Sequence, residues 1–295
     1  MGLPHWRGVQ RARRKPEAVL YASPALPFID PLNTGFPYCR MMNPGEDAIF
    51  VTDFYGDGNL TEVTVPGASM SPPAKRTYSA LEFFFDGRWD KMFLQGSYTY
   101  AKSKGNTEGG VKSDIGQGDT NVTQDFDYYE LTVDTYGYLP NDRRHSLKLF
   151  GSYDVTDEWR VGANMIVQSG RPINCLGVLD QNPGAGYSPH PYGSSFMRCS
   201  PSGDATLDDS VAVPRGSKGR LPWTTQFDLS VGYHPNWMEG LQFKMDVFNI
   251  LNSQKVTSVI ETAEVSATGA ASNTYLLPAS FQTPRSVRFM VQYDF

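Results

Sequence analysis

The sequence predicts an all-β chain, an antiparallel transmembrane β-barrel of the outer-membrane type, and three observations predict it. In residues 285–295, Val287, Phe289, Val291, Tyr293 and Phe295 alternate with Ser286, Arg288, Met290, Gln292 and Asp294. Successive side chains of a strand point to opposite faces, so this segment has one apolar wall and one mostly polar wall. Similar segments recur, joined alternately by short turns (87–90, 155–158, 235–240) and long insertions (103–142, 170–221, 253–283). Outer-membrane barrels divide short turns and long loops between their two sides in this way. No run reaches the roughly 18 apolar residues of a transmembrane helix; residues 81–85 and 164–167 are typical of the apolar stretches.

The elements follow in order. Residues 1–75 are rich in Pro, Gly and short polar residues, and 48–54 and 59–65 could each be a short strand or part of a long loop. The first clear strand is 77–86 (TYSALEFFFD), returned by Gly87-Arg88-Trp89-Asp90. In 91–102, Met92, Leu94, Gly96, Tyr98 and Tyr100 oppose Gln95, Ser97 and Thr99. The polar insertion 103–142 carries GNTEGG and GQGD, and its part around 126–136 could extend the strands beyond the membrane. In 146–154, Leu147, Leu149, Gly151 and Tyr153 oppose Lys148, Ser152 and Asp154, with Phe150 the exception. In 160–168, Val161, Ala163, Met165 and Val167 face outward, and Arg160, Asn164 and Gln168 inward. In 225–233, Phe227, Leu229, Val231 and Tyr233 oppose Gln226, Asp228, Ser230 and Gly232. In 241–251, Leu241, Phe243, Met245 and Val247 oppose Gln242, Lys244 and Asp246.

Aromatics near strand ends, Tyr98, Tyr100, Tyr153, Trp159, Trp223 and Tyr233, fit interfacial belts, although each alone fits ordinary packing. A soluble antiparallel sandwich also alternates. It has less reason to segregate long from short connections, and unstructured loops of this length are rare in compact soluble domains. Seven strands follow from residue 77 onward, and 48–65 could supply an eighth. A lipid-exposed sheet keeps no open edge. Either an eighth strand therefore closes a small barrel, or the chain is the last third of a larger one.

The chain has 295 residues, enough for one large β unit or two smaller domains. Its net charge of −5 argues against nucleic acid as a partner. The mean hydropathy of −0.40 is that of a soluble protein, yet polar lumen residues dilute apolar ones in a barrel. Residues 7–15 are basic (RGVQRARRK), but no apolar core and cleavage site follow, and Pro16, Pro24, Pro27 and Pro31 interrupt the stretch. An outer-membrane protein must be exported, so the expectation is a fragment or truncated product; the alternative is a disordered leader over about 1–40.

Six segments carry a further likeness: YSALEFFFDGRWDKMFLQGSYTYAKSKGN (78–106), LPNDRRHSLKLFGSY (139–153), VGANMIVQSGRPIN (161–174), LPWTTQFDLSVGY (221–233), LQFKMDVFNILNSQ (241–254) and PRSVRFMVQYDF (284–295). Their order and spacing resemble the carboxy-terminal barrel of TonB-dependent outer-membrane receptors, most of all the Oar-like branch, over about residues 40–295. The resemblance implies a roughly 22-stranded barrel filled by a plug. Residues 1–40 would be an irregular leader and 41–295 the last seven or eight strands. It implies energised substrate uptake in the cell outer membrane, with this chain supplying barrel wall and outer loops. The implied partners are outer-membrane lipid and lipopolysaccharide, the barrel-assembly machinery, and the plug domain with the remaining strands. TonB would couple only through amino-terminal regions that this sequence lacks. The resemblance also makes Phe289, Val291, Tyr293 and Phe295 a barrel-assembly signal; the plainer reading is a hydrophobic edge strand that needs pairing anyway.

Among candidate sites, Cys175 and Cys199 lie in one long loop. Export would place them where a disulfide forms, worth roughly 3 kcal/mol by loop-closure entropy, or they remain two thiols. Cys39 has no nameable partner, and no Cys/His spacing suits a metal. Asp53, Asp57 and Asn59 match a calcium loop only faintly, lacking the later Glu, so a solvated turn is expected. His145 with Arg143 and Arg144 could contact anionic lipopolysaccharide or a loop carboxylate. His5, His190 and His234 stand apart, and no GxSxG-type motif supports hydrolysis. Lys148, Arg160, Asp228, Lys244, Asp246, Arg288 and Asp294 fall on the inward face, suiting a water-filled or plug-contacting wall. Neither an enzyme nor a cofactor is expected. The alternatives are a small passive barrel or surface adhesion protein, and a secreted soluble β-sandwich binding carbohydrate.

Overall fold

The computed structural model describes residues 5–7, 18–20, 40–52, 59, 61–120, 123–180, 189–200 and 210–295. Seven long strands carry the architecture: β1 (Arg76–Arg88), β2 (Met92–Gly105), β3 (His145–Asp154), β4 (Trp159–Gln168), β5 (Thr224–Tyr233), β6 (Leu241–Phe248) and β7 (Ser286–Tyr293). They lie side by side in sequence order, each antiparallel to its neighbour. A three-residue strand, His5–Arg7, pairs with β1 at the far edge. The expected strands are all present, with ends shifted by up to three residues.

The register explains why these segments are strands. The row Leu94, Gly151, Ala163, Leu229, Val247 and Val287 runs across six strands on one face. One step along, Met92, Tyr153, Val161, Val231, Met245 and Phe289 form the next apolar row. Between them, on the opposite face, Ser152, Gly162, Ser230, Asp246 and Arg288 form a small or polar row. A slip of one residue in any pair would turn every side chain of a strand to the wrong face. The apolar face keeps exposed side chains such as Phe85, Tyr153, Val161, Phe243 and Phe289. That is a surface for lipid, since water would penalise so large a contiguous apolar area.

The exception in the alternation has a physical reason. Phe150 turns inward, where its ring meets Phe93 edge-on at 5.8 Å, and the Arg88 guanidinium lies 5.4 Å from the Phe93 ring. The inward aromatics cover one another instead of standing alone in a polar wall.

The short turns close tightly. Trp89 donates to Met92 O at 2.8 Å and Val155 to Trp159 O at 2.9 Å. Two neighbouring turns are tied, because the His234 and Asn236 amides donate to Glu158 O and Oε1, each at 2.8 Å. The long connections leave from the opposite end of the sheet.

Two expectations are corrected. Residues 126–136 do not extend the strands: they hold a 3₁₀ turn, Tyr129–Thr132, with Phe126 and Leu131 buried among the loops. Nor does 48–65 close the sheet. Ala48–Thr52 pairs with Thr61–Val65 as a separate hairpin, and among the described residues β7 pairs only with β6. Within the stretch expected as a leader, Ala18–Leu20 pairs with Arg40–Met42. Most of the basic 7–15 run, Cys39, Asp53 and Asp57 lie outside the described residues.

The buried apolar core is not between sheets. Phe126, Leu131, Leu139, Leu176, Val178, Phe196, Met197 and Leu221 are buried, and all belong to the long loops. The loops fold together as a cap at one end of the wall.

Candidate functional site: inner wall and loop cap

The inward face is built from strand positions that alternate with lipid-facing ones. Asp228 on β5 accepts from Asn164 Nδ2 at 3.2 Å, Gln226 Nε2 at 3.0 Å and the Asn249 amide at 2.8 Å. One strand over, Asp246 pairs with Arg288 at 2.7 Å and Lys244 at 3.3 Å. Asn164, Asp228, Lys244, Asp246 and Arg288, with the Phe93–Phe150 pair, line a concavity of about 400 Å³ on the inward face. Mixed charges that satisfy one another leave a wetted wall able to contact another polar surface without a net field.

Asn249 directly follows β6 and leads into the last long loop. It sits at φ +48°, a left-handed conformation that asparagine tolerates better than most residues. Its side chain donates to Ser253 O at 2.9 Å and Thr283 O at 2.8 Å, and accepts from the Ser253 amide at 3.0 Å. One buried amide thus pins both ends of that loop to the wall.

The cap is held by buried charges. Arg215, wholly buried, reaches Asp114 at 2.6 Å and Asp125 at 3.6 Å, while Lys112 reaches Asp125 at 3.4 Å. Arg215 Nε also donates to Thr135 O at 3.0 Å. Burial pushes the pKa of this guanidinium down, but Asp114, Asp125, Glu108 and Glu261 more than offset it and hold the pKa above the usual arginine value. Asn174 donates to Asp114 at 2.6 Å and Glu261 at 2.7 Å, and Glu261 pairs with Arg171. Asp114, Asn174 with Arg215, and Glu261 come from the first, second and third long loops, so the three insertions are cross-linked. Burial, then the neighbouring Asp114, raises the pKa of Glu108; burial also raises that of Glu261, against Arg171. Gly137 is required beneath this network, because a Cβ there would sit 2.0 Å from Arg215 O.

A second carboxylate organises the middle loop. Glu264 accepts from Val178 N at 2.8 Å, Ser200 N at 3.0 Å and Ser210 Oγ at 3.0 Å. Beside it, Cys175 and Cys199 are joined, with Cα atoms 5.8 Å apart, and both are buried. His190 lies among the rings of Tyr128, Phe196 and Tyr192 at 4.6, 5.0 and 5.7 Å, and burial lowers its pKa.

The sequence-predicted residues are distributed as follows. Asp228, Lys244, Asp246 and Arg288 meet on the inner wall, whereas Arg160 pairs with Asp154 at 2.5 Å near the short turns. Arg144 meets the loop carboxylate of Asp142 at 3.7 Å; Arg143 donates to Pro140 O at 3.3 Å. His145 Nδ1 and the Tyr98 hydroxyl share a hydrogen bond of 2.8 Å. Phe289, Val291 and Tyr293 are exposed on the outward face of β7, and Phe295 follows its end, fully exposed. Sequence reasoning did not find Arg215, Lys112, Asp114, Asp125, Asn174, Glu261 or Glu264. Arg215 and Asp114 are 101 positions apart, so no local spacing announces their pairing. Among the described residues no group of three or more His, Cys, Asp or Glu side chains could hold a metal.

Known proteins can be set beside this geometry. The family model of the outer membrane beta barrel domain matches residues 66–288. The TonB-dependent transporter Oar of Myxococcus xanthus is 27% identical, over 81% of this chain and 24% of its own length. It is a receptor of the kind that the six segments resemble. The chain thus spans about a quarter of that relative. Among solved structures, the siderophore receptor PiuA of Acinetobacter baumannii matches at TM-score 0.41 and 13% identity, over 75% of this chain and 22% of its own. The ferric-catecholate import receptor Fiu of E. coli K12 matches at TM-score 0.40 and 17% identity, over 87% and 24%. Alternating walls in register, segregated turns and loops, and a family match over most of the sequence converge: the chain belongs to the outer membrane beta barrel domain family and resides in the cell outer membrane.

Proposed function

We propose that this chain supplies wall and outer loops to a TonB-dependent transporter that takes up substrate with energy from a coupling protein. The observation that carries the reading is a lipid-facing sheet whose edge strands, among the described residues, pair on their outer sides with nothing beyond the three-residue strand His5–Arg7 beside β1, while its inner face is a balanced polar wall. Backbone groups in lipid need partners, so further strands, of a barrel of about 22 by family resemblance, would complete the wall. The Asp228 and Asp246 clusters would face a plug. The loop cap would form part of the outer mouth where substrate arrives. Coupling to TonB would act through other parts of the protein, and no residue here would perform covalent chemistry.

Two local roles belong to the same reading. The Cys175–Cys199 bond would form in the oxidising compartment and brace the middle loop. Phe289, Val291, Tyr293 and Phe295 would present the last strand to the barrel-assembly machinery, an edge apolar on one face and unpaired on one side before closure.

The test compares solutes depleted from medium by cells with the intact protein, cells without it, and cells with it but lacking TonB. A transporter predicts at least one solute whose loss needs both. A solute lost with the protein but without TonB would favour a passive barrel. No such solute would favour a surface or adhesion role.

A further inference from the structure

The first long loop encloses an amine and a carboxyl group with little to hold them as ions. The Lys112 and Asp125 side chains are 1% and 0% exposed, and Nζ lies 3.4 Å from Oδ1. A charge-assisted hydrogen bond between such groups closes to about 2.7–2.9 Å. Among the described residues, neither Asp125 oxygen has a hydrogen-bond partner, nor has Arg215 Nη2, 3.6 Å from Oδ1. Lys112 Nζ reaches Ser195 O at 3.4 Å. A buried ion pair repays its desolvation only when its remaining lone pairs and protons are satisfied. Buried polar atoms left unpaired therefore need a reason. The other carboxylates of the cap do not share this state. Asp114 accepts at 2.6 Å from both Arg215 and Asn174, and Glu264 accepts from three donors.

The surroundings supply the other groups that amide formation needs. Arg215 is fixed by Asp114 and by Thr135 O, and its second nitrogen faces Asp125 Oδ1. A fixed positive charge there stabilises an oxygen that becomes negative in a tetrahedral intermediate. Asp127, two residues along, is near enough for the charges of Lys112 and Asp125 to act on it. Burial, the largest influence, raises its pKa and so favours its acid form. The Tyr192 hydroxyl donates to Asp127 Oδ2 and orients the carboxyl. Phe126, between the two aspartates, is itself buried, so water is kept away.

We propose that Lys112 and Asp125 join without an enzyme as a side-chain amide, a covalent brace within the first long loop. One proton passes from the Lys112 ammonium to the Asp125 carboxylate, which removes both buried charges. The Nζ lone pair then attacks Cγ and forms the C–N bond, while Arg215 stabilises the oxygen that gains charge. Asp127 gives its proton to the departing hydroxyl and takes one from the nitrogen. The C–O bond breaks and water leaves. One amine and one carboxylic acid thus become one amide and one water, with no oxidant and no outside reactant. Contact between the two groups replaces the activation that a free acid would need. The oxygen that remains accepts from Arg215 Nη2, and Arg215 keeps Asp114 as its one-to-one partner. The brace does not depend on transport, so failure of the uptake test leaves it standing.

The test uses the intact protein isolated from outer membranes, denatured, reduced, cleaved at aspartates and read by mass spectrometry. Asp114 and Asp119 lie between the two residues, so an unlinked chain releases the Lys112 and Asp125 peptides separately. The amide should keep them joined, lighter by one water than the two peptides together, and reduction should not part them. Recovery mainly as separate peptides overturns the proposal. So does a water lost at Asp125 without a joined peptide, the mark of a cyclic imide. This readout needs no variant, so a folding defect cannot obscure it. Asp127→Asn keeps an acceptor for Tyr192 but removes the proton donor. It should slow joining in newly made protein by about a hundredfold, the low end of general acid–base catalysis. Joining at the parent rate overturns the chemistry assigned here.

Discussion

Replacing Arg215 by methionine tests what holds the loop cap together. The guanidinium is wholly buried between Asp114 at 2.6 Å and Asp125 at 3.6 Å. Methionine fills much of the same volume but leaves Asp114 without its cation and Asp125 with only Lys112. Removing one partner of a buried pair costs about 3–5 kcal/mol, because the remaining charge stays desolvated. The loss of the hydrogen bond to Thr135 O adds about 1 kcal/mol. Every 1.4 kcal/mol is tenfold in an equilibrium, so cap opening should rise by at least about a hundredfold. Hydrogen exchange reads this locally. The Gly216 amide, bonded to Asn174 Oδ1 at 2.6 Å, and the Tyr138 amide, bonded to Arg215 O at 3.2 Å, should exchange faster by that factor. Amides within β3 and β4 should not change. The R215M/D114N double variant removes a balanced pair and should be less perturbed than R215M alone. If R215M exchanges within threefold of the parent, or the double variant is worse than the single, the cap is not held by these charges.

Four further expectations can be checked. Reducing the Cys175–Cys199 bond, whose partners are 24 positions apart, should loosen the middle loop by roughly 3 kcal/mol and speed its proteolysis; an unchanged cleavage rate argues against a bracing role. Burial lowers the His190 pKa in the folded state, so its contribution is complete above the ordinary value near 6.5 and is lost as pH falls through the lowered value. The stability difference between parent and H190Q should shrink over that window, and a difference constant with pH contradicts the sign. Leu229→Arg, on the lipid face, should cost about 2–4 kcal/mol at mid-membrane depth and lower the temperature of heat modification, whereas Ser230→Arg, inward beside Asp246, should be tolerated; equal effects would mean the faces are misassigned. Changing Phe289 and Phe295 to Ser should slow membrane assembly measured by pulse-chase, and unimpaired assembly would remove the signal role.

The alternation of β1 through β7 was legible because its period is two residues and its meaning is local. Val287 and Arg288 must face opposite ways in any strand, and burial of one face in lipid selects which. Segregation of the connections was legible for the same reason, since a short turn can only join antiparallel neighbours. Membrane location followed from those two facts together with strand length.

The cap was not legible. Arg215 with Asp114, and Glu264 with the amides of Val178 and Ser200, join residues separated by 64 to 101 positions across loops without periodicity. Nothing in a Pro- and Gly-rich stretch says which of many charges will be buried, because desolvation is decided by what packs over a side chain and not by its neighbours in sequence. The same limit hid what makes an inward Phe150 tolerable, since the Phe93 ring that covers it comes from the neighbouring strand. It also hid the enclosed Lys112–Asp125 pair, which meets Arg215 from another loop. The sequence alone determined that this chain is a two-faced wall for a membrane. Only the tertiary structure decided how its loops lock together and where its charges gather, since those depend on contacts between segments that the chain brings together last.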